Sequence, residues 1–333
     1  MKMTAKKTSN NSNISALNSA IKTRSEFNQE VLHGLSQTPK KLSCKWFYDD
    51  VGSRLFEEIT KSPEYYPTRV ETRLLADVVI HLHDYIPHLD VVIEPGSGSS
   101  VKTRLLLQSQ PKLKQYIPID ISEEFLIETA QQLKHDFASI NPRLTISPLV
   151  ADFTKPMNPL TLDQNLQRMM FFPGSTIGNF APDEAKKLLN SFHTLVGDNA
   201  WLLIGVDMTQ DKAKLLAAYD DKAGITASFN RNILVRANRE LASNFEVNQF
   251  KHQAVLNKAD GRIEMHLLSL KSQQVDVDGK QFCFTEGETI HTENCYKYSL
   301  NAFTTLALEC GWRLAHLWQD KEESNFGVLL LKS

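Results

Sequence analysis

A glycine-rich turn preceded by an acidic residue is the first feature of this 333-residue chain that could do chemistry. It lies in the stretch VIEPGSGSSVKTRLLL, where Glu94 is followed by Gly96 and Gly98. An apolar run precedes the turn, and leucines at helical spacing follow it. This order predicts a strand, a tight turn and a helix N-terminus, which together suit a nucleotide-like ligand.

Two phosphate-binding patterns nearly fit the turn, and both fail at Val101. The pattern G-x-x-x-x-G-K-[ST] is matched at Gly96, Lys102 and Thr103, but Val101 stands where its second glycine belongs. The dinucleotide pattern G-x-G-x-x-G needs a glycine at the same position. Because a β-branched side chain crowds the backbone there, the turn favours a ligand with an adenosine end and no phosphate. S-adenosylmethionine is the expected ligand.

Carboxylates follow the next two predicted strands. Asp120 ends the second strand, where it can accept hydrogen bonds from both ribose hydroxyls of an adenosine; the other interpretation is a helix N-cap. Asp152 and Phe153 follow the third strand, so an acid for the adenine amine stands next to an aromatic ring that can lie against the base. Lys102 is either a solvated first-turn lysine or a partner for the carboxylate of the methyl donor.

The stretch FFPGSTIGNF follows the fourth predicted strand, and ligands bind at the carboxyl ends of parallel strands. Gly174 permits a close approach to the backbone, and Asn179 offers an amide that can donate and accept hydrogen bonds. The motif N-P-P-[YF] of nucleic-acid methyltransferases is absent from the sequence. A base-flipping enzyme is therefore disfavoured.

Short apolar runs alternate with amphipathic segments after the glycine turn, which predicts a parallel sheet with crossover helices. The predicted strands are VVIE, YIPID, LTISPLV, RMMFFP and WLLIGVD, and the predicted helices are SSVKTRLLL, SEEFLIETAQQLKHD and PDEAKKLLNSFHTLV. The chain ends in WRLAHLWQD, a polar turn and FGVLLLK, which predicts an antiparallel hairpin. The predicted fold class is α/β: a Rossmann-like class I methyltransferase with a mainly parallel sheet, a C-terminal antiparallel hairpin and a second, substrate-binding domain.

The domain organisation follows from where this alternation starts and stops. We predict a disordered tail (1–13), a helical segment that contributes to the donor and substrate pockets (14–88), a Rossmann-like domain in two pieces (89–209 and 298–333) and an inserted substrate-binding domain (210–297).

The composition is that of a globular protein, with 41% hydrophobic and 23% charged residues. A net charge of -2 gives no basic surface for nucleic acid or an anionic membrane, so a small zwitterionic substrate fits better. The N-terminus lacks the apolar core of a secretory signal. The four cysteines form no C-x-x-C pair, and the ten histidines form no H-x-x-x-H cluster with acids beside them. We expect a cytoplasmic monomer with reduced thiols and no metal.

Further motifs occur in order along the chain: KWFYDDVGSRLFEEI, SPEYYPTR, the glycine turn, GSTIGN, AYDDKAGITASFNRN, RIEMHL and HTENCYK. From Leu42 to the C-terminus the sequence resembles the histidine Nα-methyltransferase family, the first enzyme of ergothioneine biosynthesis. The resemblance implies three successive methyl transfers from S-adenosylmethionine to L-histidine. The products would be hercynine, the trimethylammonium betaine of histidine, and S-adenosylhomocysteine.

The resemblance also implies roles for individual residues. Donor binding falls to Tyr48, Gly96, Lys102, Asp120, Asp152 and Phe153. Substrate binding falls to Tyr65 and Gly174 in the amino-acid pocket, Asn179 and Tyr219 at the amino and carboxylate groups, Met265 and Glu293 around the imidazole, and Cys295. Tyr48, Asn179 and Tyr219 are the expected catalytic residues.

Two residues depart from the family pattern. Cys295 stands where the pattern has a serine, and a thiol is a weaker hydrogen-bond partner than a hydroxyl. This substitution leaves open an N-methyltransferase of another aromatic amino acid, such as tyrosine or tryptophan, although the presence of Met265 and Glu293 favours histidine. Pro95 stiffens the glycine turn without removing the donor site. A dehydrogenase and a non-catalytic scaffold are alternatives of other classes, and Val101 and the terminal hairpin count against the dehydrogenase.

Overall fold

The computed structural model describes residues 24–98, 101–163 and 165–333, so the predicted tail at 1–13 lies outside the described residues. The chain divides into two compact units. The small unit contains the described residues up to Glu64, Leu216–Asn257 and Ile263–Glu293, and the large unit contains Tyr65–Leu215, Lys258–Arg262 and Asn294–Ser333. The domain boundaries predicted above stay a prediction.

The helices and strands follow one another in the order that the sequence pattern predicts for the middle of the chain. The helices are α1 (24–35), α2 (Asp50–Lys61), α3 (Tyr66–Tyr85), α4 (Val101–Ser109), α5 (Glu123–Phe137), α6 (Pro182–Val196), α7 (Lys212–Tyr219), α8 (Ile225–Glu240) and α9 (Leu300–Glu309), with 3-10 turns at Cys44–Phe47, Thr176–Asn179 and Val247–Gln249. The strands are β1 (Lys40–Lys41), β2 (Val91–Pro95), β3 (Gln115–Asp120), β4 (Thr145–Ile146), β5 (Leu149–Val150), β6 (Arg168–Phe172), β7 (Trp201–Asp207), β8 (Phe250–Asn257), β9 (Arg262–Ser269), β10 (Gln273–Val277), β11 (Lys280–Phe284), β12 (Thr289–Tyr296), β13 (Arg313–Gln319) and β14 (Phe326–Lys332).

The large unit is built on an eight-stranded sheet of order β13-β14-β7-β6-β2-β3-β4, with β5 also paired to β3. Strands β2, β3, β6 and β7 run parallel, whereas β14 is antiparallel to both β7 and β13. Every residue of β2 and β7 is buried, as expected for parallel strands covered on both faces. The predicted fold class, with its mainly parallel sheet and terminal hairpin, is confirmed.

Helix α6 packs on this sheet, and its local sequence explains where it begins and ends. Pro182 occupies its first turn, where the missing N–H costs nothing. The carboxylate of Glu184 accepts a hydrogen bond from the Ala181 N–H at 3.0 Å, and Gly197 ends the helix with a φ of +72°. The buried face of the helix carries Phe192, whose ring centroid lies 5.0 Å from that of Phe172 in β6. The apolar stripe thus packs directly on the sheet.

The small unit contains a four-stranded sheet of order β1-β12-β9-β8 and the antiparallel hairpin β10-β11. Burial alternates along β9: Met265 and its neighbours two residues away are buried, whereas Glu264 and His266 are half-buried. This period of two places Met265 on one face of the sheet and Glu264 and His266 on the other. Among the described residues, no helix is long and apolar enough to cross a membrane.

Candidate functional site

The glycine turn after β2 adopts the backbone conformation that its residue types predict. Gly96 and Gly98 have φ values of +67° and +49°, which are unfavourable for residues with a side chain. The Gly96 N–H donates to the carbonyl of Ile119 at 2.7 Å, which ties the turn to the end of β3. A Cβ added at Gly96 would lie 3.3 Å from Cε1 of Phe153. The structure therefore brings the Phe153 ring against the turn.

Asp120 lies at the carboxyl end of β3 and is bound to the same turn. Its carboxylate accepts hydrogen bonds from the Ser122 N–H at 3.0 Å and from the Gly98 N–H. Burial raises the pKa of Asp120, although these N–H groups act in the opposite direction. Ser122, not Asp120, is the N-cap of α5. Asp120 thus lies beside the glycines, where a ribose-binding carboxylate is expected.

Asp152 follows β5 and is half-buried. One carboxylate oxygen accepts hydrogen bonds from the Thr154 N–H at 3.0 Å and the Thr154 hydroxyl at 2.5 Å. Lys155 Nζ lies 3.6 Å from the other oxygen. The two carboxylates predicted for the adenosine therefore lie at the ends of paired strands: Asp120 ends β3, and Asp152 follows β5, which pairs with β3.

Lys102 is ion-paired with Glu71, a fully buried glutamate of α3 that sequence reasoning did not single out. The Gly174 N–H lies 2.8 Å from each carboxylate oxygen of Glu71, and a Cβ on Gly205 would lie 1.9 Å from one of them. The Lys102 side chain is 16% exposed, so the interpretation as a solvated lysine is wrong. Its contact with the carboxylate of a donor stays a prediction.

The turn that carries Asn179 is held in a strained conformation. Gly174 and Ser175 both have positive φ values, +87° and +54°. The Asp207 N–H donates to the Ser175 hydroxyl at 2.9 Å, which anchors the turn to the end of β7. A Cβ on Gly178 would lie 3.2 Å from Cys295 Sγ. Cys295 is thereby brought against the turn of Asn179, because Gly178 has no side chain.

A buried charge network that the sequence patterns did not reveal lies behind this turn. Asp207 Oδ2 accepts hydrogen bonds from Lys297 Nζ at 2.7 Å and from the Tyr66 hydroxyl at 2.6 Å. All three side chains are almost completely buried. Burial acts to raise the pKa of Asp207, but the charge and hydrogen bond of Lys297 and the bond from Tyr66 hold it below its ordinary value. Lys297 Nζ also lies 3.2 Å from Cys295 Sγ.

Glu94, the acid of the glycine-turn motif, is buried in β2. Its Oε2 accepts hydrogen bonds from the Tyr116 hydroxyl at 2.6 Å and the Thr103 hydroxyl at 2.7 Å. Burial raises the pKa of Glu94 to about 8, and the two hydroxyls and the charge of Lys102 oppose this shift. Glu94 is therefore largely protonated near neutral pH, in contrast to Asp207.

The small unit carries the remaining residues predicted to bind donor and substrate, except Tyr65, which is half-buried in the large unit. Tyr48 is 37% exposed, and its ring packs edge-on against Phe56 and Phe229. Glu293 is half-buried in β12. Met265 is 2% exposed, which is the burial of a core residue. Their contacts with substrate stay a prediction.

Tyr219 ends α7 and is positioned through its backbone. Its carbonyl accepts a hydrogen bond from Nε2 of the buried His252 at 2.8 Å. The other ring nitrogen of His252 accepts from Asn230 Nδ2 at 2.8 Å, and Asn230 Oδ1 accepts from the Thr292 hydroxyl at 2.7 Å. Thr292 Oγ1 also lies 3.0 Å from the carbonyl of Met265. One polar network in the small unit thus fixes the backbone of Tyr219 and of Met265.

Residues that could hold a metal ion are also brought together. In the part of the chain that the structure describes, Glu264, His266 and His291 place one ligand atom each within 4.8 Å of one another. Sequence spacing did not predict this group, because His291 lies on a different strand.

The comparisons with known proteins identify a family. A family model described as histidine-specific methyltransferase, SAM-dependent, matches residues 27–333. The histidine N-alpha-methyltransferase of Mycobacterium tuberculosis is 36% identical over 307 residues, which are 91% of this chain and 93% of that protein. The enzyme of the same name from Mycolicibacterium smegmatis is 35% identical over 311 residues, with the same shares covered. Ergothioneine biosynthesis protein 1 of Neurospora crassa is 34% identical over 208 residues, which are 60% of this chain and 23% of that protein.

We predict that Lys297→Met destabilises the protein by about 3–5 kcal/mol at pH 7, because Asp207 is then a buried charge without its counter-charge. The depressed pKa of Asp207 contributes stability that is present above its unfolded pKa and is lost as the pH falls through the folded value. Without Lys297 burial raises this pKa, so the difference from wild type should narrow as the pH falls from 7 towards 4.

Urea unfolding of both proteins across this pH range measures the difference. The exposed Lys212→Met is the control and should cost less than about 0.5 kcal/mol. A cost for Lys297→Met that stays constant from pH 7 to pH 4 would contradict the assigned charge of Asp207.

We predict the opposite pH dependence for Glu94. Its folded pKa of about 8 lies above the ordinary value of 4.5, so the unfolded chain binds fewer protons between these values and stability falls as the pH rises through this window. Glu94→Gln cannot ionise, and its amide oxygen can still accept from Tyr116 and Thr103. As the pH rises from 5 to 8, its melting temperature should therefore fall by a few degrees less than that of wild type. Scanning calorimetry of both proteins measures this difference. The exposed Glu124→Gln should follow wild type, and parallel curves for Glu94→Gln would refute a neutral Glu94.

Proposed function

The chain belongs to the SAM-dependent, histidine-specific methyltransferases, and from this premise we propose that it transfers three methyl groups to the α-amino nitrogen of L-histidine. The product is hercynine, and the methyl donor is S-adenosylmethionine. The observation that carries the proposal is the family match over residues 27–333, which includes every residue predicted to bind donor and substrate. The product enters ergothioneine biosynthesis, the role named for the fungal relative.

The residues at the glycine turn fit S-adenosylmethionine by their chemistry. A Cβ on Gly96 would crowd the ring of Phe153. Because Gly96 has no side chain, this apolar ring lies next to an open stretch of backbone. Asp120 offers a carboxylate to the ribose hydroxyls, and Asp152 offers one to the adenine amine. Lys102 Nζ would lie 3.8 Å from a Cβ on Gly174, and we assign this lysine to the donor's carboxylate.

When bound, S-adenosylmethionine supplies a methyl group made electrophilic by a positively charged sulfur. The neutral α-amino nitrogen attacks this carbon in line, an N–C bond forms, and the C–S bond breaks with its electron pair on sulfur. Each round releases one proton overall, because the starting ammonium must lose a proton before attack. After the third round the nitrogen is quaternary and carries no proton.

The protein's contribution to this reaction is mainly to position the two reactants. Asn179 and Tyr219 hold the amino and carboxylate groups of histidine and orient the nitrogen lone pair, while water removes the proton. We assign the Tyr48 ring to the methyl donor, where it would accommodate the growing cation. Tyr65 and Gly174 complete the amino-acid pocket, and Met265 and Glu293 select the imidazole.

The backbone network around Asn230 supports these assignments, because it holds the carbonyls of Tyr219 and Met265 without using their side chains. We further propose that the enzyme works as a cytoplasmic monomer on a small amino acid, without a nucleic-acid or membrane partner.

A second candidate is an N-methyltransferase of tyrosine or tryptophan, and Cys295 is the observation that favours it. The thiol is 4% exposed, and Lys297 donates to its sulfur. A sulfur that already accepts a hydrogen bond offers the imidazole less than a hydroxyl would.

Mass spectrometry distinguishes these functions. Purified protein is incubated with S-adenosylmethionine and an equimolar mixture of the twenty amino acids, and the mass of each is followed. We expect a gain of three methyl groups on histidine alone, with S-adenosylhomocysteine formed in threefold amount. Methylation of tyrosine or tryptophan instead would establish the second candidate. Methylation of no amino acid would refute both, and titration calorimetry with S-adenosylmethionine would then show whether the donor site itself is absent.

We predict that Cys295→Ser lowers the KM for histidine about 3- to 10-fold, because one stronger hydrogen bond contributes about 1 kcal/mol. The kcat should change little, since the serine would bind ground state and transition state alike. Initial rates at saturating S-adenosylmethionine measure both constants, and the exposed Cys283→Ser is the matched control. An unchanged or raised KM would show that Cys295 does not contribute to imidazole binding.

A further inference from the structure

Glu264, His266 and His291 form a cluster on the four-stranded sheet of the small unit. Glu264 and His266 are two residues apart on β9 and share one face of this sheet, and His291 comes from the neighbouring strand β12. Met265 between them belongs to the buried face. Sheet pairing therefore holds the three side chains together on a rigid support, independently of any loop.

The side chains of the cluster lie close enough together to reach one common ion. His266 Nε2 lies 2.9 Å from Glu264 Oε2, and the rings of His266 and His291 are 5.0 Å apart at 47°. All three ligand atoms fall within 4.8 Å of one another. Tetrahedral Zn²⁺ holds nitrogen and oxygen ligands about 2.0–2.2 Å away, which sets ligands roughly 3.3 Å apart. Small side-chain rotations would reach this geometry.

The surroundings of the cluster resemble a built site more than a solvated surface. The His266 and Glu264 side chains are only 15% and 13% exposed. The other oxygen of Glu264 accepts a hydrogen bond from Asn257 Nδ2 at 2.9 Å, which orients the carboxylate as outer partners orient metal ligands. His266 Nδ1 is buried and has no hydrogen-bond partner among the described residues. A buried ring nitrogen without a hydrogen-bond partner costs free energy of folding, and a bound ligand would offset this cost.

We propose that Glu264, His266 and His291 bind one divalent transition-metal ion, with Zn²⁺ as the best match. Two imidazoles and one carboxylate are a ligand set that suits Zn²⁺ and its neighbours, and a water would complete the tetrahedron. Mg²⁺ and Ca²⁺ fit poorly, since they require oxygen ligands.

The site would brace the strands that carry two predicted imidazole-binding residues. Met265 stands between Glu264 and His266, and Glu293 follows His291 by two residues on β12. An ion that joins β9 to β12 would hold both strands in register and stabilise the small unit in proportion to its occupancy. The methyl transfer itself does not use the ion.

The test uses the full chain without an affinity tag, treated with a chelator and dialysed, and titrated with ZnCl₂ in a calorimeter. We expect one Zn²⁺ per chain and a higher melting temperature with the ion. Zinc K-edge absorption should show two imidazoles and no sulfur. These experiments measure metal binding and not catalysis, so their outcome does not depend on the proposed methyl transfer.

Two variants locate the ion. His291→Asn and Glu264→Gln should each weaken Zn²⁺ binding at least about 100-fold, because even the loss of an outer partner costs 10- to 100-fold. His135→Asn is the matched control, since His135 lies beside an acid, Asp136, on an exposed helix face. It should bind as wild type does. Circular dichroism of the metal-free variants checks that they are folded.

Absence of Zn²⁺ binding by folded wild type would overturn the proposal. So would binding that persists in both folded variants, or a sulfur-rich zinc spectrum, because the ion would then be held by other residues, such as the cysteines.

Discussion

The buried carboxylate of Asp207 is the group on which the arrangement of the large unit depends. It ends a fully buried strand, and a charge in that position is tolerated only if it is paired and hydrogen-bonded. Lys297 supplies the charge and Tyr66 a hydroxyl, while the Asp207 N–H binds Ser175. Three segments distant in sequence must therefore meet at one point, and the strained turn of Asn179 is one of them.

Two buried acids of the large sheet, Asp207 in β7 and Glu94 in β2, have opposite protonation states because their surroundings differ. Asp207 has a lysine in contact and stays charged, whereas Glu94 receives only neutral hydroxyls at close range and takes up a proton. Both are buried, so the difference comes from their partners. A neutral Glu94 limits the negative charge that accumulates beside Asp120, which is also raised in pKa. The surroundings of the glycine turn thus include one ion pair, Lys102 with Glu71, and one protonated acid, Glu94.

The small unit achieves positioning by a different means. Its central polar network is neutral: an amide, an imidazole whose pKa burial lowers, and a hydroxyl. These groups bind backbone carbonyls and one another, so the network fixes the backbone at Tyr219 and Met265. The opposite face of the same sheet carries the cluster of Glu264, His266 and His291, where side chains contact side chains.

The sequence by itself determined the order of strands and helices from β2 to β7, the terminal hairpin and the glycine turn, because these follow from local periodicity and from residue types that only certain backbone conformations accept. It also indicated Asp120 and Phe153, since the carboxyl ends of adjacent parallel strands must meet. Only the tertiary structure decided the partners of Glu71, Asp207 and Lys297. Each pairing joins residues far apart in the chain, and which side chains meet depends on strand neighbours and registers that no local pattern encodes. The same holds for the histidines of RIEMHL and HTENCYK. They are distant in sequence and meet only because β9 and β12 are neighbouring strands.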